Sequence, residues 1–216
     1  MRDLYIIGAG GFSIEVLFLI ERFYKNIWNN IFLVDDDISK KGNKVRDIEI
    51  IFDLEEFFIQ CNENTKVDVV ITINKPSIRA LVFNRIQQNL NNVEFPNIID
   101  KTLIFDKCYS QIGQGNIIMD YVSITGNAII GNFNIFGART GIGHDSKIGN
   151  FNTFSPRVSI SGGVSIGDGN SFGLNSSILQ YKNVGNYNEI WSYTMILRNI
   201  KDNTTYFGIP AKKIKI

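Results

Sequence analysis

Cysteine and histidine are both scarce in this sequence of 216 residues. The two cysteines, Cys61 and Cys108, are too few for a disulfide framework, so we expect a reducing, cytoplasmic location. The single histidine, His144, excludes any mechanism that needs two or three histidines, including a His-rich zinc site. We therefore expect no bound metal ion.

The sequence also lacks an excess of charge of either sign and a long apolar run. Its 22 basic and 21 acidic residues leave a net charge of +1, so no overall field attracts nucleic acid or an anionic membrane. The longest apolar runs, such as residues 16–20, are far shorter than the ~20 residues that a membrane-spanning helix needs. We expect neither nucleic acid nor a membrane as a partner.

The second half of the chain is a repeat with a period of six residues. Every sixth residue is large and apolar, and no insertion breaks the register. The fifteen positions are Ile112, Ile118, Ile124, Ile130, Phe136, Ile142, Ile148, Phe154, Ile160, Ile166, Phe172, Ile178, Val184, Ile190 and Ile196. A period of six differs from the 3.6 of an amphipathic helix. It indicates short β segments whose inward residues fill a common core.

A longer period of 18 residues is superimposed on this pattern. Ile/Val-Gly-x-x-Asn begins at positions 112, 130, 148, 166 and 184. Three hexapeptides therefore form one coil, and five coils stack as a triangular prism, the hexapeptide β-helix. We expect the asparagines to form a hydrogen-bonded ladder and the glycines to relieve the backbone near the corners. These residues are Asn116, Asn134, Asn152, Asn170 and Asn188, and Gly113, Gly131, Gly149, Gly167 and Gly185.

Three aromatic residues interrupt what should be a polar outer surface. Phe133, Phe151 and Tyr187 each stand three positions after an inward residue, so the register predicts that they face outward. Outward aromatic side chains are typical of an interface. We expect them to help bury one prism against another in a trimer.

The first half of the chain is predicted to be a small, Rossmann-like α/β domain. Strands are predicted at residues 4–7, 31–34 and 67–73, with a short fourth strand near 93–95, and helices at 14–24 and 76–90. Strands that alternate with helices indicate a parallel sheet. The predicted domains are residues 1–98 for the α/β domain and 99–216 for the β-helix with its C-terminal tail.

A glycine-rich turn connects the first strand to the first helix. Its spacing is Gly8-x-Gly10-Gly11-x-Ser13, in the strand–turn–helix context of dinucleotide-binding turns. Its N–H groups and the helix N-terminus can hold a phosphate, and Asp35 or Asp36 after the second strand can bind a ribose or base. The alternative interpretation is a tight turn that binds no ligand.

His144 is the candidate catalytic base. The 18-residue register places Gly126 below it and Gly162 above it, which leaves a groove around the imidazole. A lone histidine can equally be structural or merely exposed. Asp145 can orient the ring if a corner of the prism falls here, or it can point away if the backbone is extended.

These motifs together give the chain a family likeness. It resembles the bacterial nucleotide-sugar acetyltransferases with a left-handed β-helix, which include amino-sugar N-acetyltransferases and sialic acid O-acetyltransferases. The matching segments are Gly8–Ser13, Val34–Asp36, Lys75–Arg79, Gly143–Asp145, Ser161–Gly167 and Gly208–Lys212. The likeness covers nearly the whole chain.

The resemblance implies a homotrimer with active sites between neighbouring prisms, a nucleotide sugar on the α/β domain and acetyl-CoA along the β-helix. It implies that His144 is the general base and that Asp145 supports it. The residues expected to bind the nucleotide sugar are Gly10, Gly11, Phe12, Ser13, Asp35, Asp36 and Asn74. Those expected at the acetyl-CoA site are Thr153, Gly162, Gly173 and Leu174. Family members often carry a second histidine where this chain has Thr153, whose hydroxyl could bond the thioester carbonyl.

The sequence therefore predicts an acetyl-CoA-dependent N-acetyltransferase that acts on a nucleotide-linked amino-deoxy sugar, in surface polysaccharide or glycan synthesis. Two alternatives stay open at this point. One is an O-acetyltransferase of a sialic-acid-like sugar. The other is a non-catalytic trimeric scaffold whose α/β domain senses a nucleotide, and in which the groove at His144 has no purpose.

Overall fold

A computed structural model describes residues 2–61 and 66–214 of the chain. The chain divides into two compact units, residues 1–74 with 78–98 and residues 75–77 with 99–216. No helix in the described part of the chain has both the length and the apolar character needed to cross a membrane.

The first half contains six strands and three helices around one sheet. The elements are β1 (Asp3–Ile7), α1 (Gly11–Phe23), β2 (Ile31–Val34), a 3-10 turn (Ile38–Lys40), β3 (Lys44–Val45), β4 (Ile48–Phe52), α2 (Leu54–Gln60), β5 (Val67–Ile71), α3 (Pro76–Asn89) and β6 (Val93–Glu94). The sheet order is β3-β4-β2-β1-β5-β6. All neighbours are parallel except β3, which runs antiparallel to β4. The predicted Rossmann-like α/β fold is confirmed.

Two details of this sheet differ from the sequence prediction. Helix α1 begins at Gly11, three residues before the predicted start, because Gly10 is already the N-cap and Ser13 lies buried in the first turn. The segment from Lys44 to Gln60 was not predicted, yet it forms β3, β4 and α2. Helix α2 begins with a capping box, in which Asp53 accepts the Glu56 N–H and the Glu56 side chain accepts the Asp53 N–H.

The second half is the predicted stack of short strands. They are β7 (Ile98–Ile99), β8 (Ile104–Phe105), β9 (Gln111–Ile112), β10 (Ile117–Ile118), β11 (Ser123–Ile124), β12 (Ile129–Ile130), β13 (Ile135–Phe136), β14 (Gly141–Ile142), β15 (Lys147–Ile148), β16 (Thr153–Phe154), β17 (Ser159–Ile160), β18 (Ser165–Ile166), β19 (Ser171–Phe172), β20 (Ser177–Ile178), β21 (Asn183–Val184), β22 (Glu189–Ile190), β23 (Met195–Ile196), β24 (Thr205–Phe207) and β25 (Lys212–Ile214).

Three parallel sheets form the sides of this left-handed β-helix. The first follows β9, β12, β15, β18 and β21, and the second follows β8, β11, β14, β17, β20 and β23. The third contains eight strands and ends at β24 and β25, which pair in antiparallel fashion. Neighbouring strands of one sheet are offset by 18 residues, as Ile135 opposite Thr153 and Gly141 opposite Ser159 show.

The inward column predicted from the period of six is confirmed. Every one of the fifteen positions is buried except Ile112, which is partly buried and packs on the same core. Phe136, Phe154 and Phe172 stack in successive coils with ring centroids 4.9 Å apart, close to the spacing of paired strands. Identical register in each coil therefore places like side chains on top of one another.

The predicted asparagine ladder is also confirmed. The Nδ2 atoms of Asn134, Asn152, Asn170 and Asn188 each donate to the Oδ1 atom of the asparagine one coil below, at 3.0–3.1 Å. All five asparagines of the column are buried. The ladder supplies partners for amide groups that would otherwise be buried at a cost.

The glycine of the repeat has a different cause from the predicted one. None of the five described glycines has a positive φ, so relief of the backbone is not its purpose. A Cβ atom there would instead overlap the Asn or Asp side chain of the next coil, such as Asn132 above Gly113 or Asp168 above Gly149. These side chains form a second ladder, in which Asn132 donates to Asn150 and Asn150 to Asp168.

The outward aromatics follow the register only in part. Phe133 is 2% exposed, because its backbone is left-handed and its ring packs over Gly115 of the preceding coil. It also stacks on Phe151 with a centroid distance of 5.2 Å. The prediction that Phe133 faces outward is therefore wrong. Tyr187 is 59% exposed and does face outward.

Candidate active site

A corner of the prism carries His144 and Asp145. The chain turns here from β14 to β15, and Asp145 adopts a left-handed conformation with φ of 57°. The Asp145 N–H donates to the Gly126 carbonyl one coil below, and the Gly163 N–H donates to the His144 carbonyl. The backbone ladder thus fixes the corner from both sides, so the two side chains are placed by the register of the repeat.

The corner brings the imidazole and the carboxylate together. His144 Nδ1 lies 2.7 Å from Asp145 Oδ2, so the first of the two orientations considered for Asp145 is the one observed. Asn127 Nδ2 donates to the other oxygen, Oδ1, at 3.1 Å. The hydrogen bond from His144, and after it the one from Asn127, lower the pKa of the Asp145 carboxyl.

A carboxylate on Nδ1 fixes the tautomer of the ring. Nδ1 carries the proton that Asp145 accepts, which leaves the lone pair on Nε2. The His144 side chain is 61% exposed, so Nε2 is open to a substrate. This is the geometry of a general base with an orienting acid.

The predicted glycines around His144 lie where the register placed them. The His144 Cβ lies 3.5 Å from the position of a Cβ on Gly126. A Cβ on Gly162 would overlap the imidazole at Nε2, so the ring lies directly on the backbone of the coil above. The structure therefore groups His144, Asp145 and Gly162 at one corner.

The other predicted acetyl-CoA residues lie on a different side of the prism. Thr153 belongs to β16 of the eight-stranded sheet and is 8% exposed, whereas His144 follows β14 of the six-stranded sheet. Gly173 and Leu174 follow β19 at the edge of the sheet that holds Thr153. Within one chain the structure does not bring this second group to His144.

A groove runs over the outer face of the eight-stranded sheet at this second group. Its volume is about 340 Å³, and its lining residues are Ser171, Gly173, Glu189, Ile190, Trp191, Ser192 and Phe207. A Cβ on Gly173 would overlap the Ser192 N–H, so this strand end approaches the next coil closely. Backbone groups and one aromatic pair, Trp191 and Phe207 at 5.8 Å, line the groove.

The glycine turn of the α/β unit is open at its tip. A Cβ added to Gly10 or Gly11 would meet no atom of the described chain within 4 Å. Gly8 is the position that needs glycine for conformation, with φ of 101°. Its carbonyl accepts the Thr72 hydroxyl at 2.5 Å, which ties the turn to the residue after β5.

The predicted acidic residues have partners within the α/β unit. Asp35 Oδ2 accepts the Ala9 N–H at 2.7 Å and the Lys40 ammonium at 3.0 Å, so Asp35 holds the turn in place. Asp36 accepts the Leu54 N–H at 2.9 Å and pairs with Arg85 at 3.2 Å. Both lie at the carboxyl end of β2, as the sequence predicted.

The remaining predicted residues of this unit differ in exposure. Ser13 is fully buried, and its hydroxyl donates to the Gly10 carbonyl at 2.6 Å, so it shapes the turn. Phe12 is partly exposed in the first turn of α1. Asn74 is exposed, and its carbonyl accepts from Arg79 at 3.1 Å. The assignment of all these residues to substrate binding stays a prediction.

Sequence reasoning missed two residues that hold the candidate site. Arg79 is 1% exposed and donates to the Ile73 carbonyl at 2.6 Å, and burial lowers its pKa to about 9, so it stays charged at neutral pH. It lies in the conspicuous segment Lys75–Arg79, which was the available signal. Asn127 shares a column with Asp145, so the 18-residue register could have identified it as a partner.

Comparison with known families identifies the first half of the chain. Residues 3–86 match the PglD N-terminal domain. This match spans β1 to α3, and so includes the glycine turn and Asp35. A search of curated proteins gives no significant match.

Comparison with solved structures covers the whole chain. PerB from Caulobacter crescentus, in complex with CoA and GDP-perosamine, has a TM-score of 0.88 at 18% identity, over 100% of this chain and 98% of that one. The acetyltransferase domain of PglB from Neisseria gonorrhoeae has a TM-score of 0.89 at 22% identity, over 99% and 100%. WeeI from Acinetobacter baumannii has 0.88 at 19%, over 99% and 100%. The predicted family resemblance is confirmed at the level of the fold.

Proposed function

We propose that the protein is an acetyl-CoA-dependent N-acetyltransferase that acts on a nucleotide-linked amino-deoxy sugar, in surface polysaccharide or glycan synthesis. The observation that carries the proposal is the pair of His144 and Asp145, 2.7 Å apart, with Nε2 exposed over Gly162. It occurs in a fold shared along the full chain with PerB, which was solved with CoA and GDP-perosamine. A non-catalytic scaffold gives no reason for this arrangement.

The proposed reaction is the transfer of an acetyl group from sulfur to nitrogen. The sugar amine attacks the thioester carbonyl, a C–N bond forms, and the C–S bond breaks to release the CoA thiol. His144 Nε2 accepts the proton that the amine loses and can return it to the leaving sulfur. Asp145 holds the ring in the required tautomer and stabilises the imidazolium that forms. Backbone N–H groups of the coil would stabilise the developing oxyanion.

We propose that the two substrates use separate parts of the chain. The open turn at Gly10 and Gly11 is suited to a diphosphate, because its backbone can approach a ligand without obstruction. Thr153, Gly173 and Leu174 would hold acetyl-CoA along the eight-stranded sheet, where the groove lies. Acetyl-CoA is thus a co-substrate supplied from solution.

A homotrimer would complete this site. Within one chain, His144 and Thr153 belong to different sheets, so acetyl-CoA on the second would not reach the first. A neighbouring prism can present its eight-stranded sheet to the His144 corner, and Tyr187 and Phe151 offer aromatic surface for such packing. Sedimentation of a monomer at micromolar concentration would refute this assembly.

The direct test is release of the CoA thiol from acetyl-CoA across a panel of nucleotide-linked sugars. We expect turnover with an amino-deoxy sugar and none with its hydroxyl counterpart. Turnover only with a sialic-acid-like hydroxyl acceptor would overturn the choice of N-acetylation. Nucleotide binding without thiol release from any sugar would support the scaffold instead. We also propose a cytoplasmic location, which suits the two free thiols, Cys61 and Cys108.

A further inference from the structure

Tyr181 occupies the corner one coil above Gly163 and two coils above Asp145. Its backbone is left-handed, with φ of 57°, and its N–H donates to the Gly162 carbonyl at 3.0 Å. A Cβ on Gly163 would overlap the phenol ring at Cδ1 and Cε1, so the ring folds down onto this glycine. The Tyr181 side chain remains 65% exposed.

Two rings therefore approach the same dipeptide from opposite directions. The His144 imidazole rises from the coil below and lies on Gly162, with Nε2 at the point of closest approach. The Tyr181 phenol descends from the coil above and lies on Gly163. Because neither glycine has a side chain, the dipeptide forms a bare floor with a basic wall on one side and an aromatic wall on the other.

We infer that Tyr181 is a positioning residue for the acceptor, with its ring packed against the apolar face of the sugar that carries the amine. This inference rests on the proposed function. The reacting amine must lie within hydrogen-bond reach of Nε2, so the sugar ring attached to it must lie on the floor beside His144. Tyr181 is the aromatic surface that shares this floor. The residues proposed for acetyl-CoA lie on another sheet, so the acceptor is the substrate that Tyr181 contacts.

A structural explanation for Tyr181 must be separated from this one. Tyr187 folds onto Gly169 in the same manner, with φ of 54° and 59% exposure, at a corner that carries no histidine. Covering a corner glycine with an aromatic ring therefore occurs in this fold apart from catalysis. Tyr187→Ala is accordingly the matched control, since it removes the same kind of packing away from His144.

The test measures steady-state kinetics of Tyr181→Ala, Tyr181→Phe and Tyr187→Ala with both substrates varied. For Tyr181→Ala we expect the KM for the nucleotide sugar to rise about tenfold, with the KM for acetyl-CoA unchanged. Tyr181→Phe keeps the ring and should restore the wild-type KM. Tyr187→Ala should leave both KM values as they are. Sedimentation and thermal melting of all variants show whether assembly and folding are intact.

The outcomes are distinct. A rise of less than threefold in the sugar KM of Tyr181→Ala would overturn the inference, as would an equal rise in Tyr187→Ala or a rise confined to acetyl-CoA. A wild-type chain that acetylates no sugar in the panel would instead refute the proposed function, before any variant is compared. If Tyr181→Ala fails to fold, Tyr181→Leu supplies the same test with an aliphatic side chain.

Discussion

Gly10 in the α/β unit and Gly162 in the β-helix are both predicted site residues, but their surroundings are opposite. A Cβ on Gly10 meets no described atom within 4 Å, and its φ of −89° and ψ of −175° suit any residue. A Cβ on Gly162 overlaps the imidazole of His144. Neither packing nor conformation within the chain requires glycine at position 10, so only a ligand would exclude a side chain there. At position 162 the chain itself excludes it.

The largest expected effect tests whether the chemistry belongs to the β-helix corner. His144 is the only histidine of the chain, so no second imidazole can replace it. His144→Ala should lower kcat by about 10²–10⁴-fold, the usual contribution of a general base. The KM for acetyl-CoA should change little, because the base acts mainly in the transition state. Undiminished turnover in this variant would end the proposal of a general base.

The next effect tests whether Gly162 is needed for the position of the ring. Gly162→Ala should push the imidazole off the coil and lower kcat by about 10²-fold, since displacement of a catalytic group by 1 Å can cost that much. Gly141→Ala is the control, because a Cβ there lies 3.6 Å from the Ser123 hydroxyl, an ordinary contact. Equal kcat in the two variants would show that the close approach at Gly162 has no catalytic importance.

A smaller effect tests the glycine turn. Gly10→Val should fold normally, since the backbone is extended and the space is open, yet it should weaken binding of the nucleotide sugar by more than tenfold. The affinity for acetyl-CoA should be unchanged. Calorimetry that gives the same nucleotide-sugar affinity for variant and wild type would reduce the loop to a tight turn, and would erase the contrast with Gly162.

The smallest effect concerns Asp145 and the pH profile. Asp145→Asn should lower kcat about tenfold, because the ring loses its charged partner but keeps Nε2. The hydrogen bonds from His144 and Asn127 lower the pKa of Asp145, so its carboxylate is lost only below the pH at which carboxyls ordinarily protonate. The fall in wild-type rate at acid pH should therefore come from protonation of His144 and persist in Asp145→Asn. A pH profile of Asp145→Asn without this fall would assign the acid limb to the carboxylate.

The repeat made much of the β-helix predictable. An uninterrupted 18-residue register places inward isoleucines, the asparagine ladder and the neighbours of His144 by counting alone, because each coil repeats the backbone of the last. Side-chain direction at the corners was not predictable in this way. At a left-handed corner residue such as Phe133, the ring turns back over the preceding coil instead of pointing outward.

The α/β unit was less predictable, because its loops fold back on themselves. Asp35 was expected to face a ligand, but Ala9 and Lys40 come close enough to occupy one of its oxygens. Only tertiary structure brings these residues together. Helix α2, by contrast, carried a readable signal in Asp53 and Glu56, three residues apart before an apolar pair.

The antiparallel pairing of β24 and β25 has a consequence for the length of the prism. A parallel β-helix is open-ended, since its last coil offers an unpaired row of N–H and C=O groups on which another coil, or another molecule, can be added. In the eight-stranded sheet, β25 reverses the chain direction and pairs with β24, with Lys212 and Lys213 both exposed. A strand of opposite direction with charged side chains is a poor template for the repeat. The chain therefore terminates its own polymer-like growth and guards this edge against end-to-end aggregation.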